Sequence, residues 1–112
     1  MSEKIKYIDA SQFEKEVLRG GNVIVDFYST ECPPCEALAA KFEPLSEIFG
    51  DDITFIKIFR QENRALAESL GVTSSPTVLF YQNDREIGTR LSGSIKRSEL
   101  LDTIKLLLPQ ER

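Results

Sequence analysis

The amino-acid sequence predicts a single α/β domain, in which a central mixed β-sheet is covered by helices on both faces. Apolar strand-like runs alternate with helical segments, and one run, Val23 to Tyr28, is apolar almost throughout. Such a run is typical of a strand that is buried on both faces. The last two strand-like runs flank Asn83-Asp84, a hairpin signal that makes part of the sheet antiparallel. At 112 residues the chain can bury one core, so residues 1–112 are expected to form one domain.

The N-terminal segment is predicted to form a strand and then a helix. The run from Lys4 to Ile8 is typical of a short strand. Ser11 is expected to cap the helix that follows, because Glu14 completes a Ser-x-x-Glu capping box. The pair Gly20-Gly21 is expected to end this helix, since glycine tolerates the left-handed backbone found after a helix C-terminus.

The central strand and a long helix form the next unit. Val23 to Tyr28 is rich in branched residues, which places it at the centre of the sheet. The helix is predicted to run from Pro34 to about Phe49 and to stop at Gly50. Pro44 lies inside this helix and should kink it, because proline cannot donate a backbone hydrogen bond.

The second half of the chain continues the alternation of strands and helices. The predicted strands are Ile53 to Phe59, Thr77 to Tyr81 and Glu86 to Leu91, and the predicted helices are Arg64 to Leu70 and about Lys96 to Leu107. The last helix places Leu100, Ile104 and Leu107 on one face, as expected of a helix packed against a sheet.

Composition and charge exclude several classes of function. The net charge is −4, and the charged residues of both signs are interspersed, so the basic surface of a nucleic-acid-binding protein is missing. The N-terminus lacks an apolar core of signal-peptide length, and no stretch is long enough to span a membrane. We therefore expect a cytoplasmic protein without nucleic-acid or membrane partners. Cytoplasmic thiols are kept mostly reduced, which favours a catalytic role for a cysteine pair.

The two cysteines carry the strongest functional signal. Cys32 and Cys35 are the only cysteines, and they are separated by Pro33-Pro34 at the junction of a strand and a helix. The first sulfur lies at the positive end of the helix, where its thiolate is favoured. The second is close enough to resolve a mixed disulfide. This spacing predicts a site for reversible thiol–disulfide exchange.

Three other interpretations of the cysteine pair are possible. A purely structural disulfide would contribute little, since closing so short a loop stabilises the folded protein by only about 2 kcal/mol. Structural zinc needs four Cys or His ligands, and the chain has no histidine, so only a site shared by two chains could bind it. The third is a relic site in a protein that only binds partners. We expect no metal and no cofactor.

The ordered motifs resemble those of the thioredoxin family from about Tyr7 to Leu107. The matching motifs are Val25-Asp26-Phe27-Tyr28, Cys32-Pro33-Pro34-Cys35, Phe55-Ile56-Lys57-Ile58, Ala67 to Val72, Ser75-Pro76-Thr77, and Gly93 before the last helix. The resemblance implies a thioredoxin fold and a monomeric electron carrier that reduces protein disulfides. Its partners would be disulfide-containing client proteins and an electron donor of the thioredoxin-reductase type.

The resemblance also implies a role for each residue at the site. Cys32 would be the exposed attacking thiolate and Cys35 the buried resolving thiol. Asp26 lies among apolar residues, so we expect it to be buried, with a raised pKa and the ability to accept the proton of Cys35. Lys57 occupies the position of a lysine that lies near this aspartate in the family. Pro76 would be the family's cis-proline, which leaves the backbone of Ser75 free to pair with a substrate.

The departures from the family pattern concern the surface on which clients dock. Glu31 stands where the family usually has tryptophan, and Arg60, Ser75 and Ser92 replace mostly apolar residues. The expected substrate-binding residues are Glu31, Pro33, Pro34, Arg60, Ser75, Pro76, Ser92 and Gly93. A groove this polar should fit a restricted set of partners.

The two prolines between the cysteines bear on the chemistry of Cys32. Because Pro33 and Pro34 lack N–H groups, only the amide of Cys35 can stabilise the thiolate in the first turn. Glu31 adds a nearby negative charge that further disfavours the thiolate. One alternative to a reductase is a glutaredoxin-like or oxidising exchanger. The other is a binding module that uses the fold without catalysis.

Overall fold

The computed structural model describes residues 3–108 and shows a five-stranded sheet with helices on both faces. The strands are β1 (Ile5–Ile8), β2 (Asn22–Tyr28), β3 (Thr54–Phe59), β4 (Thr77–Gln82) and β5 (Arg85–Ser92), and the α-helices are α1 (Phe13–Glu16), α2 (Pro33–Phe49), α3 (Arg64–Ser69) and α4 (Arg97–Leu107). The predicted fold class is confirmed, and most predicted boundaries agree within one or two residues.

The sheet is mixed, and β2 lies at its centre. The strand order is β1-β3-β2-β4-β5. The strands β1, β3 and β2 are parallel, whereas β4 is antiparallel to both β2 and β5. The hairpin turn is at Asn83-Asp84, as predicted, and both residues have the positive φ angles that such two-residue turns require.

Two apolar clusters pack against opposite faces of the sheet. The cluster under α2 and α4 contains Ile5, Ile24, Leu38, Phe42, Phe55, Phe80, Leu100 and Ile104. The cluster under α1 and α3 contains Phe13, Val17, Val23, Val25, Phe27, Ile58, Ala67 and Leu79. Successive residues of β2 thus enter different clusters, which explains why its sequence is apolar throughout.

The prediction for the first helix was wrong in its cap and in its end. The segment begins as a 3₁₀ turn capped by Asp9, which accepts a hydrogen bond from the backbone N–H of Ser11 at 2.9 Å, and the N-cap of α1 itself is Gln12, whose side chain makes no cap bond. The Ser11 hydroxyl itself donates to Asp9 at 2.6 Å, so it is not free to cap the helix with Glu14. A 3₁₀ turn over residues 10–12 leads into α1, which ends at Glu16, well before Gly20-Gly21. A helix this short depends on packing, here through the buried Phe13.

The long helix α2 positions the cysteine motif and contains Pro44. It runs over 17 residues without interruption, and Pro44 is exposed within it. The predicted kink at Pro44 stays a prediction. The side chains of Leu38, Phe42 and Leu45 are buried against the sheet, which fixes the N-terminus of α2 beside the end of β2.

Candidate active site

Cys32 and Cys35 form a disulfide at the first turn of α2. Cys32 is the N-cap residue, with extended backbone, and the two Cα atoms are 5.2 Å apart, which is within the normal range for a disulfide. The Cys35 amide donates to the Cys32 sulfur at 3.2 Å. Pro33 and Pro34 occupy the first two positions of the helix and contribute no N–H. The amide of Cys35 is therefore the helix donor that reaches this sulfur.

The segment before β4 forms the other wall of the site. The Ser75-Pro76 peptide bond is cis, as predicted, and Pro76 is buried. The carbonyl oxygen of Ser75 lies 3.7 Å from the Cys32 sulfur. A disulfide sulfur has no proton to donate, so this is a contact here, while a Cys32 thiol would be able to hydrogen-bond to the same oxygen.

Cys32 is less accessible than we expected from the sequence. In the disulfide only 9% of Cys32 is exposed, so the prediction of an exposed Cys32 was wrong for this form, whereas the predicted burial of Cys35, which is 5% exposed, is confirmed. The cause is a tertiary contact, because the carbonyl oxygen of Ser75 lies 3.7 Å from the Cys32 sulfur, which is also bonded to Cys35.

Asp26 and Lys57 form a buried charged pair at the centre of the sheet. Asp26 is fully buried and Lys57 is 7% exposed, and they face each other across β2 and β3. The Lys57 Nζ lies 3.8 Å from Oδ2 of Asp26, which is an ion pair but too long for a hydrogen bond. Both carboxylate oxygens of Asp26 are buried without a hydrogen-bond partner among the described residues. Such a carboxylate is costly to keep ionised.

Burial raises the pKa of Asp26 from an ordinary 3.8 to about 7. Removal of water from the carboxylate is the main cause, and the positive charge of Lys57 lowers the pKa only in part. Asp26 lies two residues after Ile24 in β2, and so on the same face of the sheet as Ile24, which packs with α2. Its carboxyl group thus faces the helix that carries both cysteines, and it titrates near neutral pH.

Two tyrosines surround Lys57, and sequence reasoning missed them. The Lys57 Nζ lies 4.8 Å from the ring centre of Tyr28 and 5.9 Å from that of Tyr7, distances at which a ring face attracts a cation. Tyr7 is the direct neighbour of Lys57 in the β1–β3 pair, and Tyr28 shares a face with Asp26. The two-residue period of strands was the signal that could have identified Tyr28, which lies two residues after Asp26 in β2.

The expected docking residues differ in exposure. Glu31, Pro33, Pro34, Ser92 and Gly93 are exposed, Arg60 and Ser75 are partly buried, and Pro76 is buried. Glu31 has a positive φ of 52°, unusual for a residue other than glycine. Gly93 also has a positive φ, and its N–H donates to the carbonyl of Pro76 at 3.2 Å. We call the docking residues around Cys32, which are Glu31, Pro33, Pro34, Arg60, Ser75, Pro76, Ser92 and Gly93, the rim. The bond from Gly93 ties the β5 end of the rim to the cis-proline segment.

Polar atoms on the rim include two that are buried and unpaired. The Nε of Arg60 and the Oγ of Ser75 have no hydrogen-bond partner among the described residues. The sequence analysis also missed Gln61, whose side-chain oxygen accepts from the backbone N–H of Thr30 at 2.9 Å. This bond connects the segment after β3 to the loop that leads into Cys32.

The disulfide, the cis-proline and the buried carboxyl group together define a thiol–disulfide oxidoreductase. A two-residue spacing at a helix N-terminus allows the disulfide to open and close. Within residues 3–108 no group of three or more Asp, Glu, Cys or His side chains is arranged to hold a metal ion.

Comparison with known proteins identifies the family. The thioredoxin family model matches residues 4–106. Thioredoxin-1 of Schizosaccharomyces pombe is 38% identical over 79 residues, which are 70% of this chain and 76% of that protein. Thioredoxin X, a chloroplastic protein of Arabidopsis thaliana, is 33% identical over 106 residues, which are 93% of this chain and 58% of that protein. The crystal structure of Malassezia sympodialis thioredoxin has a TM-score of 0.79 and 29% identity, over 92% of this chain and 90% of that one. This chain belongs to the thioredoxin family.

Proposed function

We propose that this protein reduces the disulfides of a restricted set of client proteins in the cytoplasm, and that a donor of the thioredoxin-reductase type returns it to the dithiol form. The observation that carries the proposal is the cysteine pair at the start of α2, beside the backbone of Ser75 and on the side of the sheet that Asp26 faces. No helix in residues 3–108 is both long and apolar enough to cross a membrane.

The exchange proceeds in two steps. In the first, the Cys32 thiolate attacks one sulfur of the client disulfide, that bond breaks, and a mixed disulfide forms while the other client sulfur leaves as a thiolate. In the second, Cys35 loses its proton and attacks Cys32, which releases the second client thiolate. The client gains two electrons and two protons, and the protein is left with the Cys32–Cys35 disulfide. A dithiol donor then reverses that oxidation.

Asp26 is proposed to take the proton of Cys35 in the second step. A general base works best when its pKa lies near the working pH, and Asp26 has a pKa of about 7. The Lys57 nitrogen lies 3.8 Å from the carboxylate of Asp26 and 4.8 Å from the ring centre of Tyr28, so the positive charge of Lys57 is held beside the carboxylate. We assign Lys57 to the positioning and tuning of Asp26.

The restriction to certain partners follows from the charged rim. Glu31 is exposed next to Cys32, and Arg60 and Ser75 replace apolar surface with polar groups. When a charge meets an apolar partner, it must lose its water without gaining a new bond. A reductase adapted to an apolar groove should therefore dock poorly on this surface.

The docking proposal is tested with the variant Glu31→Trp. We expect slow turnover of the native protein by a general thioredoxin reductase but normal chemical reduction by dithiothreitol. Glu31→Trp should raise the enzymatic rate, because it replaces the unpaired charge with apolar surface, and should change the redox potential little. The matched control is Glu47→Trp, at an exposed position near the C-terminal end of α2, the end opposite the cysteines. Equal efficiency of the native protein and an ordinary thioredoxin with one reductase would contradict the proposal.

A further inference from the structure

A small pocket lies between the end of β3 and α3, beside the rim. Its lining residues are Arg60, Gln61, Arg64, Ala67, Glu68 and Val72, and its volume is about 60 Å³. A pocket of this size accommodates a small polar group.

The charges that line the pocket favour an anion. Arg60 and Arg64 carry two positive charges against the single negative charge of Glu68. Within residues 3–108 no carboxylate forms an ion pair with either guanidinium group. The Nε of Arg60 is buried and has no acceptor, while Nε of Arg64 makes only a long bond of 3.3 Å to the carbonyl of Gln61. A buried N–H without an acceptor is costly, and a carboxylate oxygen would satisfy it.

Two connections place the pocket close to the redox site. Gln61 accepts hydrogen bonds from both the N–H and the hydroxyl of Thr30, two residues before Cys32. On the other side, Val72 lies three residues before Ser75, whose carbonyl oxygen is 3.7 Å from the Cys32 sulfur. Three residues span at most about 11 Å, so a client bound at Cys32 can reach the pocket with a residue near its own cysteine.

We propose that this pocket binds a carboxylate of the client, carried two or three residues from the cysteine that Cys32 attacks. This inference rests on the proposed function, and it names a chemical feature of the preferred clients. A single carboxylate balances the net charge of +1 in the lining, whereas a phosphate group, with nearly two negative charges, would overbalance it beside Glu68. The arginines select a client, and the chemistry at the sulfurs is the same for every client.

The test uses two peptide disulfides that differ in one residue. One peptide carries Glu two or three positions from its cysteine, and the other carries Gln there; the adjacent position is avoided because Glu31 lies next to Cys32. The reduced protein is mixed with each peptide, and the second-order rate constant of its oxidation is measured in the absence of any reductase. We expect the Glu peptide to react about tenfold faster or more, as one charge-assisted hydrogen bond in the transition state allows.

Variants of the two arginines identify the pocket as the source of the preference. Arg60→Gln and Arg64→Gln should each reduce the ratio of the two rates toward one, and high salt should reduce it in the native protein. Arg85→Gln removes an exposed positive charge at the far end of the β4–β5 hairpin and should keep the native ratio. If Arg60→Gln does not fold, the ratio of the two rates in Arg64→Gln and its dependence on salt in the native protein still test whether the pocket causes the preference.

The outcomes separate this inference from the proposed function. Equal rates for the two peptides with the native protein would overturn the carboxylate site and leave disulfide reduction standing. A preference that survives in both arginine variants would also overturn it. A native protein that reacts with neither peptide would overturn the proposed function itself.

Discussion

Replacement of Asp26 by Asn should stabilise the protein at neutral and alkaline pH but hardly at all in acid. Asp26 is fully buried, and its pKa is raised from 3.8 to about 7. Below about pH 4 the carboxyl group is protonated in both the folded and the unfolded chain, so it closely resembles the amide of Asn. Between about pH 4 and about pH 7 the unfolded chain releases the proton of Asp26 and the folded chain retains it. The native protein therefore loses stability as the pH rises from about 4 to about 7.

The size of the effect follows from the shift in pKa. Each unit corresponds to about 1.4 kcal/mol, so the stability advantage of Asp26→Asn should grow from about 1 kcal/mol at pH 4.5 to about 4 kcal/mol at pH 8. The attraction of Lys57 is already contained in the pKa of about 7, because Lys57 acts to lower it. The advantage should level off above about pH 8, where Asp26 is ionised in both states.

The assay is denaturant unfolding of the oxidised protein and the oxidised variant at pH 4.5, 6, 7 and 8. Taking the difference between the free energies of unfolding of the two proteins at each pH removes the contribution of other titrating groups. Asp102→Asn, an identical chemical change at an exposed position of α4, reports the effect of the substitution without burial. A pH-independent difference between native and Asp26→Asn would refute the reasoning, as would an NMR titration that places Asp26 near about 4.

Three further predictions concern the site. Lys57→Met should raise the pKa of Asp26 above about 7, because the ammonium group of Lys57 lowers it; an unchanged NMR titration would argue against their coupling. In the reduced protein, Cys32 should be alkylated much faster than Cys35, because the backbone amide of Cys35 stabilises the thiolate of Cys32; equal rates would contradict the assigned roles. Because Pro33 and Pro34 withhold backbone donors, the potential should lie near about −270 mV, and equilibration against glutathione that gave a value above about −180 mV would identify an oxidant instead.

The sequence predicted the parts of the fold that depend on hydrophobic pattern and backbone chemistry. The run from Val23 to Tyr28 indicated a doubly covered strand, and Ile24 and Val25 do enter different cores. Asn83-Asp84 predicted the hairpin because those residue types accept positive φ. Burial of Asp26 could be predicted from its apolar neighbours, since a strand at the centre of a sheet offers it no water.

What the sequence did not predict depends on competition and on tertiary contacts. Asp9 caps the 3₁₀ turn that precedes α1, and it accepts from both the amide and the hydroxyl of Ser11, so Ser11 does not act as a cap. The pairing of Lys57 with Tyr7 required the register of β1 against β3, which no local pattern determines. The low exposure of Cys32 arises from Ser75, 43 residues away along the chain.

The central claim, that Cys32 attacks client disulfides and Cys35 resolves them, is tested most directly by trapping the mixed disulfide. The variants Cys35→Ser and Cys32→Ser are reduced, mixed with a disulfide-bonded peptide and analysed by intact mass spectrometry. The account predicts that Cys35→Ser accumulates a stable adduct at Cys32, while Cys32→Ser forms little and the native protein returns to its internal disulfide. An adduct that forms mainly on Cys35 in Cys32→Ser, or on neither variant, would contradict it.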